Sequence, residues 1–137
     1  MVAKSQFEFF DNKKRSNKAP TLTVDKYGRI YFNEAARELL GVKNVKAELY
    51  IGYDKANKRI GVTRPHLVKE VDLNPVILNE ARNEVGARSF LNYYGIDYSK
   101  THHYIYVGKY NNVFMFEHED LAGVNPNEKP EITQDYD

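Results

Sequence analysis

The stretch Val24-Asp25-Lys26-Tyr27-Gly28-Arg29-Ile30-Tyr31-Phe32-Asn33-Glu34-Ala35-Ala36-Arg37-Glu38-Leu39-Leu40-Gly41-Val42 carries the punctuation from which the fold is read. Leu22, Thr23 and Val24 are a short β-prone run. Asp25 to Gly28 then supply turn chemistry, with a glycine free to take positive φ. Arg29 to Phe32 resume an apolar strand, so the segment predicts a β-hairpin. Asn33 has the side chain of a good N-cap, Glu34 to Leu40 are good helix formers, and Gly41 stands where a glycine ends a helix. A helix this short cannot hold itself in water, so tertiary packing must hold it.

Outward from this stretch, Lys46 to Tyr53 alternates as a strand, Asp54 to Asn57 make a turn, and Lys58 to Thr63 return as a second strand before Pro65. Residues 66–75 read as a linker with a short strand at Leu67 to Val71, and Asn74-Pro75 is a helix-start signal. Residues 76–94 leave two readings open. Ile77, Ala81 and Val85 recur at helical spacing, whereas Val85-Gly86 also suits a turn or strand before a helix at Arg88 to Tyr94. Gly95 ends that helix in either case. His103 to Val107 and Val113 to Glu117 are strands around a turn at Gly108 to Asn112. Residues 1–19 read as a basic arm, and the polar, acidic residues 119–137 as a disordered tail.

An internal repeat lies at an offset of about fifty residues. Asn33-Glu-Ala-Ala-Arg37-Glu-Leu-Leu-Gly41 is echoed by Asn83-Glu-Val-Gly-Ala-Arg88-Ser-Phe-Leu-Asn-Tyr-Tyr-Gly95, and each copy precedes a hairpin. The repeat predicts two helix-plus-hairpin units packed as a pseudo-twofold pair, with boundaries at 20–65 and 66–118. The fold class expected is α+β, β-rich.

The chain has 137 residues and no cysteine, which excludes disulfide scaffolds, thiol catalysis and cysteine-based metal sites. It contains neither a bilayer-length apolar run nor a signal-peptide pattern, so a cytoplasmic location away from membranes is expected. Its net charge of +1 hides a segregation. Residues 1–65 carry fourteen Lys and Arg against seven Asp and Glu, and residues 66–137 carry six against twelve. Such asymmetry points to nucleic-acid contact or to an acidic tail, or else to attraction between the halves within one fold.

Catalytic chemistry finds little support. Ser5, Ser16, Ser89 and Ser99 sit in no nucleophile-elbow context, and the glycines form no phosphate-binding loop. The four histidines are His66, His102, His103 and His118. His102 and His103 are adjacent and face opposite ways on a strand, so His103 and His118 are the pair expected to meet across the hairpin, which supplies two ligands. Neither an enzyme, a metal site nor a cofactor is expected.

The segment from Val24 to Val42 resembles the AbrB and MazE type of swapped-hairpin domain over residues 20–64, through its Gly28-Arg29 turn, the apolar strand after it, the short helix closing in Leu40-Gly41 and the later hairpin. The resemblance implies a barrel in which two copies interleave as a homodimer, and a basic face that touches DNA. Arg29 lies at the Gly-Arg position used for that contact, and Arg37 at a second frequently basic position. Asn33 departs from the proline usual at the helix start. Glu38 departs from a second basic residue, and a carboxylate there repels phosphate. The whole chain also resembles small proteins of bacteria and their phages, which brings no activity with it.

Two functions follow as expectations. The first is an AbrB-like, DNA-binding transcriptional regulator that uses Arg29, Arg37 and the arm residues Lys13, Lys14, Arg15 and Lys18. The alternative is a protein-binding effector, of the kind by which a phage inhibits a host protein, docking through Tyr93, Tyr94, Tyr104 and Tyr106, since tyrosine is enriched at interfaces.

Overall fold

The computed structural model describes residues 19–69 and 72–122. The arm residues Lys13, Lys14, Arg15 and Lys18, and the tail beyond Ala122, lie outside the described residues. Among those described, eight antiparallel strands form one nearly closed, barrel-like sheet with few helical turns.

Strands β1 (Thr21–Val24) and β2 (Arg29–Phe32) form the first hairpin, with Leu22 opposite Phe32. Their period-2 pattern puts Leu22, Val24, Ile30 and Phe32 fully into the core. Helix α1 (Glu34–Leu40) starts where Asn33 Oδ1 accepts the Ala36 N–H and ends at Gly41, φ 71°. Strands β3 (Ala47–Asp54) and β4 (Arg59–Thr63) make the second hairpin. These boundaries agree with the sequence reading to within a residue or two.

The second half departs from it. Pro65–Leu67 is a 3-10 turn, consistent with a proline at its first position, so no strand begins at Leu67. Strands β5 (Val76–Leu78) and β6 (Glu84–Gly86) then form a third hairpin, so the reading of one helix through Ile77, Ala81 and Val85 gives way to its alternative. The cause is local. Asn79 Oδ1 accepts the N–H groups of Ala81 and Arg82, and Asn83 takes φ 58°, which closes a turn where a helix would continue. Helix α2 (Arg88–Tyr93) follows, then β7 (His102–Tyr110) and β8 (Val113–His118). Glu119–Ala122, read from sequence as the start of the tail, forms a turn of helix, α3. It is tied back by Glu119 Oε2, which accepts the His103 N–H, and by the Asp120 N–H, which donates to His118 Nδ1.

The strand order is β5-β3-β4-β8-β7-β1-β2-β6, and its two ends meet at an Asn79–Glu84 bridge. Exchanging β1–β4 for β5–β8 maps this circle onto itself. The pairs Ile30–Val85 and Gly61–Met115 sit on the axis of that exchange. The two helix ends obey it as well. Gly41 and Val42 donate to the carbonyls of Glu38 and Arg37, as Gly95 and Ile96 donate to those of Asn92 and Leu91. The halves therefore share one barrel around one core, in which hairpin β1–β2 lies between β6 and β7, and hairpin β5–β6 between β2 and β3.

Candidate nucleic-acid interface

The axis through Ile30 and Val85 runs through a two-stranded ribbon of β2 and β6. Alternation turns these two side chains into the core and leaves Arg29, Tyr31 and Glu84 on the outer face. Asp25 organises Arg29. Its carboxylate accepts the backbone N–H of Arg29 at 3.0 Å and its Nε at 2.9 Å, and also the Tyr27 N–H at 2.9 Å. Burial alone would push the Asp25 carboxyl up, but these hydrogen bonds and the nearby guanidinium outweigh it and hold the group below its ordinary value. The Arg29 guanidinium stands 5.0 Å from the centre of the Tyr27 ring, and its Nη1 is 3.7 Å from Glu84 Oε1. With its side chain 39% exposed, Arg29 is accessible but already has two carboxylate neighbours.

Two clefts flank the ribbon, and both are lined by Arg29 and Gly86. One, of about 700 Å³, also takes in Tyr27, Arg88, Ser89 and Phe90. The other, of about 560 Å³, takes in Lys46, Asn79, Glu80 and Glu84. Arg88 is oriented by a bond from its Nε to the Tyr27 carbonyl. Lys46 and Arg88 thus join Arg29 on this face, although neither was singled out from the sequence. The repeat did contain the signal, but it aligned Arg88 with Arg37. The helix-end bonds instead match Arg37 to Leu91, which places Arg88 opposite Glu34.

Arg37 itself is corrected by the structure. Only 8% exposed, it donates from Nε to the Phe32 carbonyl at 3.0 Å. It pins α1 to the first hairpin and is not presented to a polyanion.

The tyrosines of the alternative reading separate into different environments. Tyr93 is 82% exposed. Tyr94 is half-buried among Tyr53, Phe90 and Tyr93. Tyr106 is half-buried against Phe114 and Phe116. Tyr104 is a core residue at 2% exposure, and burial pushes its hydroxyl pKa well up, so it cannot contact a partner. The four do not form one surface.

The histidine pairing also differs from expectation. His118 Nε2 lies 3.0 Å from Nδ1 of His102, while His103 faces the other way and shares a hydrogen bond with Thr23 Oγ1. The expected back-to-back placement of His102 and His103 holds; the strand's phase puts His102, not His103, beside His118. Among the described residues no helix is long and apolar enough to cross a membrane. No family model matches the chain, and neither the curated proteins nor the solved structures give a match.

Proposed function

We propose that this chain is a non-enzymatic, DNA-binding regulatory protein whose barrel is a swapped-hairpin pair fused into one polypeptide. The interleaved strand order supports the second part. Each front hairpin lies between strands of the other half, as two interleaving copies would arrange them. The observation that carries the DNA reading is the β2–β6 ribbon on the pseudo-twofold axis, with Lys46 and Arg88 in the clefts on either side of Arg29. Phosphate contact supplies most of the affinity of such a surface. Because Asp25 and Glu84 partly neutralise Arg29, Lys46 and Arg88 are assigned the larger share.

Gel-shift titration of the full chain against random duplex, in low and moderate salt, tests the reading. Binding should weaken as salt rises, with a logarithmic slope of about −0.9 per phosphate neutralised. Changing Lys46, Arg29 and Arg88 together to Ala should reduce both affinity and slope. Absence of any shift in low salt at micromolar protein would overturn the proposal.

One observation favours the second reading, a protein-binding effector. Tyr93 projects from α2 with its ring against Tyr94. A Tyr93→Ala variant that loses capture of a protein partner, in a chain that shifts no DNA, would establish it.

A further inference from the structure

We propose that His102, His118 and Glu119 form a binding site for one divalent transition-metal ion of the zinc type, opening into the cleft beside the end of α2. One ligand atom from each of the three residues lies within 4.8 Å of the other two. The two imidazole nitrogens that face each other are 3.0 Å apart. Zinc–nitrogen bonds of about 2.0–2.1 Å in a tetrahedral shell separate ligand atoms by roughly 3.3 Å, so the histidine pair already stands near the required spacing. Glu119 is partly exposed, and one of its carboxylate oxygens is anchored by the His103 N–H at 2.8 Å. A short swing of this side chain completes a three-ligand set.

The hydrogen bonds show what the metal would replace. His118 Nδ1 accepts the Asp120 N–H at 3.1 Å, so the ring proton sits on Nε2 and is donated to His102 Nδ1. The lone pair of His102 Nδ1 faces that proton; once His118 Nε2 releases it, small rotations of the two rings let both nitrogens point at a divalent cation set off the line between them. The displaced proton moves to His118 Nδ1, which exchanges the Asp120 N–H for the Asp120 carboxylate, now 3.7 Å away. A metal-bound imidazole backed by a carboxylate on its other nitrogen is a well-supported ligand.

The cleft, of about 300 Å³, leaves a fourth position open to exchange. Facing the pair are Tyr53 and Lys58 from the β3–β4 hairpin, Asp97 from the segment after α2, Tyr104 from β7, and Asp120 from α3. In the cleft Asp97 and Asp120 stand against one lysine, and Glu119 lies beside the histidine pair.

The pseudo-twofold adds an independent argument for a cation here. In the register that matches Thr63 to Glu117, Arg64 matches His118, as Gly41 matches Gly95. Arg64 Nη1 donates to the Gly41 carbonyl at 3.2 Å, placing a permanent positive charge at the end of α1. At the end of α2, Gly95 lines the cleft that holds His118 instead. A metal bound there would put positive charge where the first half has its guanidinium.

The test is titration of the full, untagged chain with zinc chloride by calorimetry, and with cobalt chloride by visible absorbance. One equivalent should bind, cobalt should give tetrahedral ligand-field bands, and zinc should raise the melting temperature. H102A should weaken binding about tenfold or more. That substitution is safe for folding, because the matching position in the first half is Ala47, buried at the same place in its strand pairing. H118Q should do the same, while H66A and H103A should leave binding intact. No binding at 100-fold excess metal, or binding unchanged in H102A, would overturn the proposal.

Discussion

Arg59 on β4 and Glu117 on β8 pair across the seam where the two halves of the chain join. Nε and Nη2 of the arginine lie 3.0 Å and 2.9 Å from the same carboxylate oxygen, with both side chains almost wholly out of water. Removing one partner of such a pair leaves a buried charge uncompensated, so Glu117→Ala should cost about 3–5 kcal/mol. Replacing both by apolar residues, Arg59→Met with Glu117→Leu, should recover most of that loss. Urea denaturation of the two variants checks the difference. Equal destabilisation by both would show that shape rather than charge matters at this seam.

Asn33 connects the first hairpin to α1 through three bonds. Its Oδ1 accepts the Ala36 and Thr21 N–H groups, and its Nδ2 donates to the Ala19 carbonyl. Asn33→Ala should destabilise by about 1–2 kcal/mol, the upper part of the range for a lost N-cap. Asn33→Asp keeps the acceptor and loses only the bond to Ala19, so its melting temperature should fall between those of Asn33→Ala and the unchanged chain.

Asp25 makes stability depend on pH in a fixed direction. Its folded-state value lies below the ordinary 3.8, so folding favours the ionised carboxylate. The stabilisation is present above that ordinary value and is lost as pH falls through the lower folded one. Because the group is partly exposed, its size is about 1 kcal/mol or less. Asp25→Asn should fold, since Asn79 takes the same place in the matching turn. The gap in denaturation midpoint between the two proteins should therefore be widest at neutral pH and close in acid. A gap that persisted unchanged in acid would mean that the backbone bonds, not the charge, set it.

Gly28 and Gly95 both adopt left-handed backbone, φ 78° and 65°, but only Gly28 has a neighbour where a Cβ would stand, the aliphatic stem of Arg88. Gly95→Ala should cost about 1–2 kcal/mol from backbone strain alone. Gly28→Ala adds the displacement of Arg88, so its loss should be larger. It should also weaken any DNA shift, because the bond from Arg88 to the Tyr27 carbonyl goes with it.

The first half was legible because its signals are local and agree with one another. Asp25, Gly28, Asn33 and Gly41 each fix a boundary by their own backbone chemistry. The third hairpin was obscured because β5 and β6 have three residues each, and because their turn rests on Asn79 and Asn83, which also suit a helix start. Sequence placed Arg29 on an outer face but not its carboxylate neighbours: Glu84 reaches it only through strand pairing between distant segments. Arg37 was misplaced for a related reason. The resemblance put it at a frequently basic position, yet the Phe32 carbonyl five residues earlier gives it a buried acceptor.

The interleaving of the hairpins also governs how the chain is made. Thr23 and His103, bonded neighbours in the finished sheet, are 80 positions apart. When the first half leaves the ribosome, both outer edges of the β1–β2 hairpin are open, because β6 and β7 do not yet exist. Until they arrive, the second half of any other copy offers the same edges and the same register. A chain closing on itself and two chains trading halves would form the same strand pairs, so any dimer on refolding should grow with protein concentration.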